Sequence, residues 1–369
     1  MENSHVTTLD LHLNAIDFNF NYFKSKLHST TKILVVIKAF GYGTSAIEIA
    51  KHLEQKVDYF AVAYANEGIA LRNAGIETPI LVLHPQKNNL KKIIDFCLEP
   101  NVYSINILKA FIEIAKEMKV QNYPIHIKFN TGLNRLGFIE KNISEIVSLI
   151  KPQNEVAITS VFSHIAASED LNEREFTLQQ ITTFKKVSST LINQIPSTPF
   201  KHMLNTSGII NYASEAQFDM VRLGIGLYGF GNSENETSKL KNVVVLKSII
   251  SQIHTIKKGE TVGYNRAYKA TSTIKTATVP IGHADGISRQ LSNGVGYVYI
   301  NNQKAYIVGN VCMDMIMVNV TDIDCNEGDE VIVYKNQEHV ESLAKAIQTI
   351  PYELLTAISQ RVGRVLKQC

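Results

Sequence analysis

The sequence predicts an α/β protein: a (β/α)8 TIM barrel followed by a mostly-β C-terminal domain. Three observations carry that expectation. Eight short apolar segments, rich in β-branched residues, alternate with helical patterns across residues 33–224. A polar stretch, Asn-Ser-Glu-Asn-Glu-Thr-Ser within residues 231–240, then reads as a linker. Beyond it, strand patterns dominate. Alternating strand and helix signals argue for βαβ units and parallel pairing. Eight such units in about 200 residues suggest a closed barrel. An open doubly wound sheet is the alternative, but no Gly-x-Gly-x-x-Gly follows the first strand, which weakens a dinucleotide fold. The expected domains are residues 1–235 for the barrel and 236–369 for the β domain. Residues 1–13 are expected to form a strand packing with the latter.

Taken in order, residues 7–13 place Leu9, Leu11 and Leu13 on one face of a half-buried strand. Asn14 then caps a helix carrying Ile16, Phe20, Phe23 and Leu27. Barrel strands are expected at residues 33–37, 59–63, 79–83, near 102, and at 125–129, 158–164, 201–205 and 220–224. Helices are expected from Thr44 as cap, through Glu67 to Gly75, near 90–96, and at 107–118, 143–150, 173–195 and around Ile209. In the second half, strands are expected at 243–250, 274–279, 295–300, 305–308, 315–320 and 331–334, with a hairpin tip at Asn301-Asn302. Short helices are expected near 340–347 and 352–358.

Composition narrows the function. A chain of 369 residues suggests two domains or one large one. A net charge of +3 with no basic run makes nucleic acid an unexpected partner. No apolar stretch approaches a membrane span, and Met-Glu-Asn-Ser-His lacks the features of a signal peptide. Cys97, Cys312, Cys325 and Cys369 show no metal-type spacing, so no metal is expected. They fit reduced thiols in a cytoplasmic protein, although four cysteines could form two disulfides.

The chemistry centres on Ile37-Lys-Ala-Phe-Gly-Tyr-Gly43. Lys38 ends a buried strand, and burial disfavours its charged form. A neutral amine can form a Schiff base with an aldehyde; the bland alternative is a lysine snorkelling out of the strand end. Lys128, His164, Asn205 and Arg222 stand at other strand ends, where barrels place their chemistry. Gly224-Ile225-Gly226 follows the last strand, where barrels often bind phosphate.

These residues resemble the motifs of alanine racemases, pyridoxal-phosphate enzymes built from a barrel and a β domain. The likeness continues through residues 128–137, Ser163-His164, residues 202–206, 220–225, Val262-Gly-Tyr264, residues 307–314 and Tyr352-Glu353. It implies that Lys38 holds pyridoxal 5′-phosphate and acts as one acid/base, with Tyr264 as the other on the opposite face. Two bases suit racemisation, which removes a proton on one face and delivers it on the other. The resemblance implies a head-to-tail homodimer in which the partner subunit supplies Tyr264. It places Arg222 against the pyridine nitrogen, with His164 linking Arg222 to Tyr264. Tyr42, Asn205, Thr206, Gly224, Ile225 and Tyr352 would hold the cofactor, most of them at its phosphate. Arg135 would hold the cofactor's phenolic oxygen and the substrate carboxylate, and Met313 would offer its backbone N–H to that carboxylate. Some alanine racemases carbamylate the lysine matching Lys128. Three positions depart from the common pattern: Asn130 for Asp, His283 for a gating Tyr, and Asn310 for an Arg found in some members. His283 and Asp314 belong to the entrance, so these changes bear on substrate range and turnover. The expected activity is interconversion of L- and D-alanine for peptidoglycan. The alternatives are an amino-acid decarboxylase of the same fold and a non-catalytic pyridoxal-phosphate carrier.

Overall fold

The computed structural model describes residues 5–231 and 233–367; the first four residues, Asn232, Gln368 and Cys369 lie outside them. Eight parallel strands close into the barrel in sequence order: β2 (Lys32–Val36), β3 (Tyr59–Val62), β4 (Ile80–Val82), β5 (Glu99–Val102), β6 (Tyr123–Lys128), β7 (Val156–Phe162), β8 (Phe200–His202) and β9 (Met220–Leu223). β9 returns to β2 with Leu34 opposite Arg222, which completes the ring. The strands read as continuous apolar runs because helices cover their outer faces, so both faces are buried. Leu34, Val35, Phe60, Ala61, Leu81 and Val82 are fully buried.

The helices show why they face inward. The helix Ile105–Glu117 buries Ile107, Leu108, Phe111, Ile112 and Ala115, a stripe at helical spacing. Its cap is Ser104, whose hydroxyl accepts from the Ile107 N–H at 3.3 Å. Burying a ring such as Phe111 contributes about 1.5–3 kcal/mol.

The strand β1 (Thr8–His12) does not join the barrel. It lies inside a six-stranded sheet ordered β16-β15-β18-β10-β1-β19, built otherwise from β10 (Val244–Ile249), β15 (Tyr297–Ile300), β16 (Gln303–Tyr306), β18 (Glu330–Tyr334) and β19 (Gly363–Lys367). It pairs antiparallel with β10 and parallel with β19. A three-stranded sheet holds β11 (Gln252–Ile256), β14 (Ile274–Val279) and β17 (Ile316–Asn319). β12 (Thr261–Val262) and β13 (Tyr268–Lys269) pair alone. Asn301 and Asn302 take φ of 48° and 64°, the left-handed pair that a two-residue hairpin between β15 and β16 requires.

Several local expectations are corrected. The first helix begins at Leu13, so Asn14 lies inside its first turn and His12 holds the cap position. Thr44 does not cap the next helix; its hydroxyl donates back to the Gly41 carbonyl at 2.6 Å, and Ser45 precedes the helix Ala46–Leu53. The polar stretch 231–240 is not a plain linker. It carries a short helix, Glu234–Thr237, and Glu236 accepts from the Tyr22 hydroxyl at 2.5 Å, which pins the stretch to the barrel. Residues 305–308 overshoot β16, which ends at Tyr306. The strands β11, β12, β13 and β19 carry no expectation from the sequence, because their polar and charged residues hide the period-two pattern. Among the described residues, no helix is long and apolar enough to cross a membrane. Cys97, Cys312 and Cys325 are free thiols.

Candidate active site

Lys38 follows β2 by two residues and enters an unusual turn. Ala39, Phe40, Gly41, Tyr42 and Gly43 all have positive φ, from 52° to 80°. A left-handed turn is sterically costly for residues with a Cβ. Glu67 holds its start, its carboxylate accepting from Ala39 N at 2.6 Å, Ala63 N at 2.7 Å and Tyr64 N at 3.1 Å. Gly43 meets the turn's far constraint, for a Cβ there would lie 1.9 Å from the Leu355 carbonyl oxygen. Only glycine fits that close approach.

The turn opens on a cavity of about 520 Å³ at the strand C-termini. Lys38, Lys128, Arg135 and Arg222 line it, together with His164, and among the described residues no carboxylate does. Burial, with the charge of Arg135 beside it, lowers the Lys38 pKa, although Glu67 works the other way. The amine is therefore easier to neutralise than a surface lysine. Lys128 ends β6; burial, then Arg135, Arg222 and Lys38, push it down to about 8. Its ammonium sits 5.9 Å from the Phe162 ring centroid and has no ion-pair partner among the described residues. Asn130 supplies no charge to this loop. Its side-chain oxygen accepts from Gly132 N at 3.1 Å and Asn134 N at 3.0 Å, shaping the segment that leads to Arg135.

Arg222 is the most heavily constrained charge. Its Nη2 donates to the carbonyls of Ser163 and Met203, both at 2.8 Å, and to His164 Nδ1 at 3.0 Å. Its Nη1 donates to His202 Nδ1 at 2.7 Å. Burial and Arg135 lower its pKa to about 9. Burial and Arg222 hold both His164 and His202 well below the usual imidazole range, so both are neutral.

Tyr42, Asn205, Thr206, Gly224, Ile225 and Tyr352 also line the cavity. Asn205 caps the helix Thr206–Ala216, its side chain accepting from Gly208 N at 2.9 Å. The Thr206 hydroxyl accepts from Gly224 N and Gly226 N, both at 3.2 Å, which ties the post-barrel loop to that helix start. A Cβ on Gly224 would lie 2.9 Å from the Tyr42 hydroxyl. A helix N-terminus favours an anion through its unpaired N–H groups and dipole. Burial raises the Tyr42 pKa and lifts Tyr352 to about 12, so both phenols remain donors. Four lysines and arginines, among them Lys38 with its lowered pKa, and an anion-suited helix start fit a ligand that is an aldehyde at one end and a phosphate at the other.

The structure gathers Lys38, Tyr42, Lys128, Arg135, His164, Asn205, Thr206, Arg222, Gly224, Ile225 and Tyr352 around this cavity. It does not bring Tyr264, Met313, Asp314 or His283 to its lining. Tyr264 is 71% exposed and Met313 58%. They share one surface of the β half: Asn310 donates to the Tyr264 carbonyl at 3.2 Å, and the Met313 carbonyl accepts from Ala284 N, next to His283. Arg361 joins Asp314 to the buried Asp285, at 2.6 Å to each. The sequence reading missed Glu67, His202, Tyr64, Leu83 and His84 at or behind the cavity wall. The Glu67 role had no sequence signal, since a helical glutamate is ordinarily a surface residue.

A closed barrel that brings a lysine with a lowered pKa, a multiply bonded arginine and an anion-suited helix start to one cavity, joined to a β-rich unit, defines a class of protein suited to a phosphate-bearing aldehyde cofactor. The alanine racemase N-terminal domain model matches residues 11–231, and the C-terminal domain model matches residues 243–366. The chain is 35% identical to alanine racemase 1 of Caldanaerobacter subterraneus over 372 residues, covering 97% of this chain and 94% of that protein. It is similar in structure to the alanine racemase of Clostridium difficile 630, with a TM-score of 0.92, 36% identity and coverage of 99% and 96%. It is similar, too, to alanine racemase from Bartonella henselae with covalently bound pyridoxal phosphate, with a TM-score of 0.87, 28% identity and coverage of 98% and 99%. This chain belongs to the alanine racemase family.

Proposed function

We propose that this chain interconverts L-alanine and D-alanine with pyridoxal 5′-phosphate held by Lys38, as a cytoplasmic homodimer serving peptidoglycan synthesis. The observation that carries the reading is Arg222, a donor-only group fixed by two carbonyls and two imidazoles where a decarboxylase would place a carboxylate. When bound, the cofactor supplies an electron-accepting ring conjugated to the amino acid's α-carbon. Arg222 would face the ring nitrogen of the bound cofactor as a group that does not readily give up its proton, which would restrain the ring as an electron acceptor and discourage transamination.

Lys38, whose pKa burial and Arg135 lower, moves the α-proton on one face. Tyr264 of the partner subunit moves it on the other. What supports a partner's contribution is the placement of Tyr264 on an exposed surface away from its own cavity. His164 accepts from Arg222 at Nδ1, so its proton sits on Nε2, available to hold the Tyr264 oxygen of the partner subunit. Arg135, in a cavity that no carboxylate lines among the described residues, binds the substrate carboxylate. The partner's Met313 would add a backbone N–H, with His283 and Asp314 at the entrance. The test is formation of D-alanine from L-alanine by the purified, cofactor-loaded protein. Release of carbon dioxide, or no turnover at all, would overturn the reading.

A further inference from the structure

A chain of buried polar groups crosses the barrel beneath Arg222. His202 Nε2 lies 3.1 Å from Ser160 Oγ. Ser160 Oγ lies 2.6 Å from His126 Nδ1, and His126 Nε2 lies 2.6 Å from Glu99 Oε2. His126, Ser160 and His202 are wholly buried, and the side chain of Glu99 is 12% exposed. The groups come from β5, β6, β7, β8 and β9, so the chain of contacts runs between neighbouring strands of the barrel interior.

The protons in this chain can be assigned from its two ends. Arg222 only donates, so His202 Nδ1 must accept and its proton must sit on Nε2. That proton goes to Ser160 Oγ. The single Ser160 proton has no other acceptor among the described residues, so it goes to His126 Nδ1. The His126 proton then sits on Nε2 and points at Glu99, and an ionised carboxylate only accepts. Both ends therefore dictate one direction: reversal at the Arg222 end would set two donors against each other, and reversal at the Glu99 end would set two acceptors against each other. Buried hydrogen bonds in series polarise one another, and every unpaired member is costly.

We propose that Glu99, His126 and Ser160 are positioning residues of the racemase reaction, acting through His202 to hold Arg222 as a charged, correctly aimed donor. None of the three lines the cavity. Arg222 favours this His202 tautomer but can tilt away from the other one; Ser160, backed by His126 and Glu99, gives the buried Nε2 proton its acceptor, and without that acceptor the alternative tautomer becomes accessible. A His202 with its proton on Nδ1 would confront the guanidinium with a second donor and tilt it away from its place. Stacking of His202 on Phe162, 4.7 Å between centroids and 7° from parallel, keeps the ring plane fixed, so the tautomer is the remaining freedom.

The proposal rests on the racemase reading for its consequence but not for its first readout. Imidazole 15N NMR of the holoenzyme should show His202 protonated at Nε2 alone and His126 protonated at Nε2 alone. Ser160→Ala should leave His202 a mixture of tautomers and lower kcat by about tenfold, the scale of a lost hydrogen bond in a charged network, with KM little changed. It should also alter the visible absorption of the bound cofactor. Ser160→Thr, which restores the hydroxyl, should recover both. If Ser160→Ala does not fold, Glu99→Gln provides the second arm, because an amide can donate as well as accept. It should mix the His126 tautomers and lower kcat in the same direction. A fixed His202 tautomer in Ser160→Ala, or a change confined to His126 in Glu99→Gln with kcat intact, overturns the proposal. Wild-type enzyme that shows the tautomers but makes no D-alanine would overturn the racemase reading instead.

Discussion

Arg364 donates to the carbonyl oxygen of Gly43 at 2.6 Å, tying the last strand of the chain to the left-handed turn that follows Lys38. The same guanidinium reaches Thr44 O at 2.9 Å, Ser359 O at 2.6 Å and Ile358 O at 3.2 Å, and lies 5.1 Å from the Phe40 ring centroid. Left-handed backbone costs roughly 1–2 kcal/mol for each residue with a Cβ. Ala39, Phe40 and Tyr42 each bear that cost. Glu67 from one side and Arg364 from the other keep the turn in place, and with it the Lys38 amine.

Arg364→Lys should therefore loosen the turn, since one ammonium cannot serve carbonyls in two separate segments. The expected loss is about 1–3 kcal/mol of unfolding free energy, with weaker retention of pyridoxal phosphate. Denaturant unfolding and cofactor titration measure both. Unchanged values in both would show that the turn holds itself.

Borohydride reduction of the loaded protein should bleach the visible band and leave the cofactor on the peptide containing Lys38. Lys38→Ala should lower kcat by roughly a thousandfold or more, the loss expected when a proton-transfer group is removed. Mass spectrometry of the digest identifies the labelled lysine. A label on Lys128, whose pKa lies at about 8, would reverse the roles assigned to the two lysines.

Tyr264→Phe should be nearly inactive alone, as should Lys38→Ala. Mixed and allowed to exchange subunits, the two should recover activity, because the heterodimer has one site with both groups intact. If exchange is demonstrated and activity stays absent, Tyr264 serves its own subunit, despite its 71% exposure there.

Lys128 gives a pH-dependent stability. Its pKa in the folded state, about 8, lies below that of the unfolded chain, so the folded state binds fewer protons as pH passes from about 8 to about 10. Stability rises with pH in that window, and below it the full burial penalty remains. In buffer free of carbon dioxide, Lys128→Met should be more stable than the parent at neutral pH by on the order of 1–3 kcal/mol, and the gap should close towards pH 10. With 13C-bicarbonate, the parent should gain stability and show a carbamate resonance, because an anion would then sit among the cavity's cations. A gap that stays constant with pH removes the ionisation argument, and an absent resonance removes the carbamate.

The sequence by itself determined the barrel and the place of its chemistry. Runs such as residues 33–37 and 59–63 are buried on both faces, and that burial is written locally as continuous apolar residues. Lys38 and Lys128 were legible because a charge at the end of such a run has few neutral explanations. Only the tertiary structure decided the rest. β19 gained its identity from a parallel pairing with β1, at the other end of the chain, and no local pattern records that. The left-handed turn after Lys38 depends on Glu67 and Arg364, which lie far apart in sequence from each other. His126, Ser160 and His202 looked like ordinary polar residues in strands, because a sequence shows that a side chain is polar but not which neighbour satisfies it. Tyr264 could be placed on a strand-rich stretch, but its distance from its own cavity is a property of how two folded units meet. Hydrogen bonds and ion pairs between distant segments are short-ranged and directional, so they come into being only when the backbone has already brought their partners together.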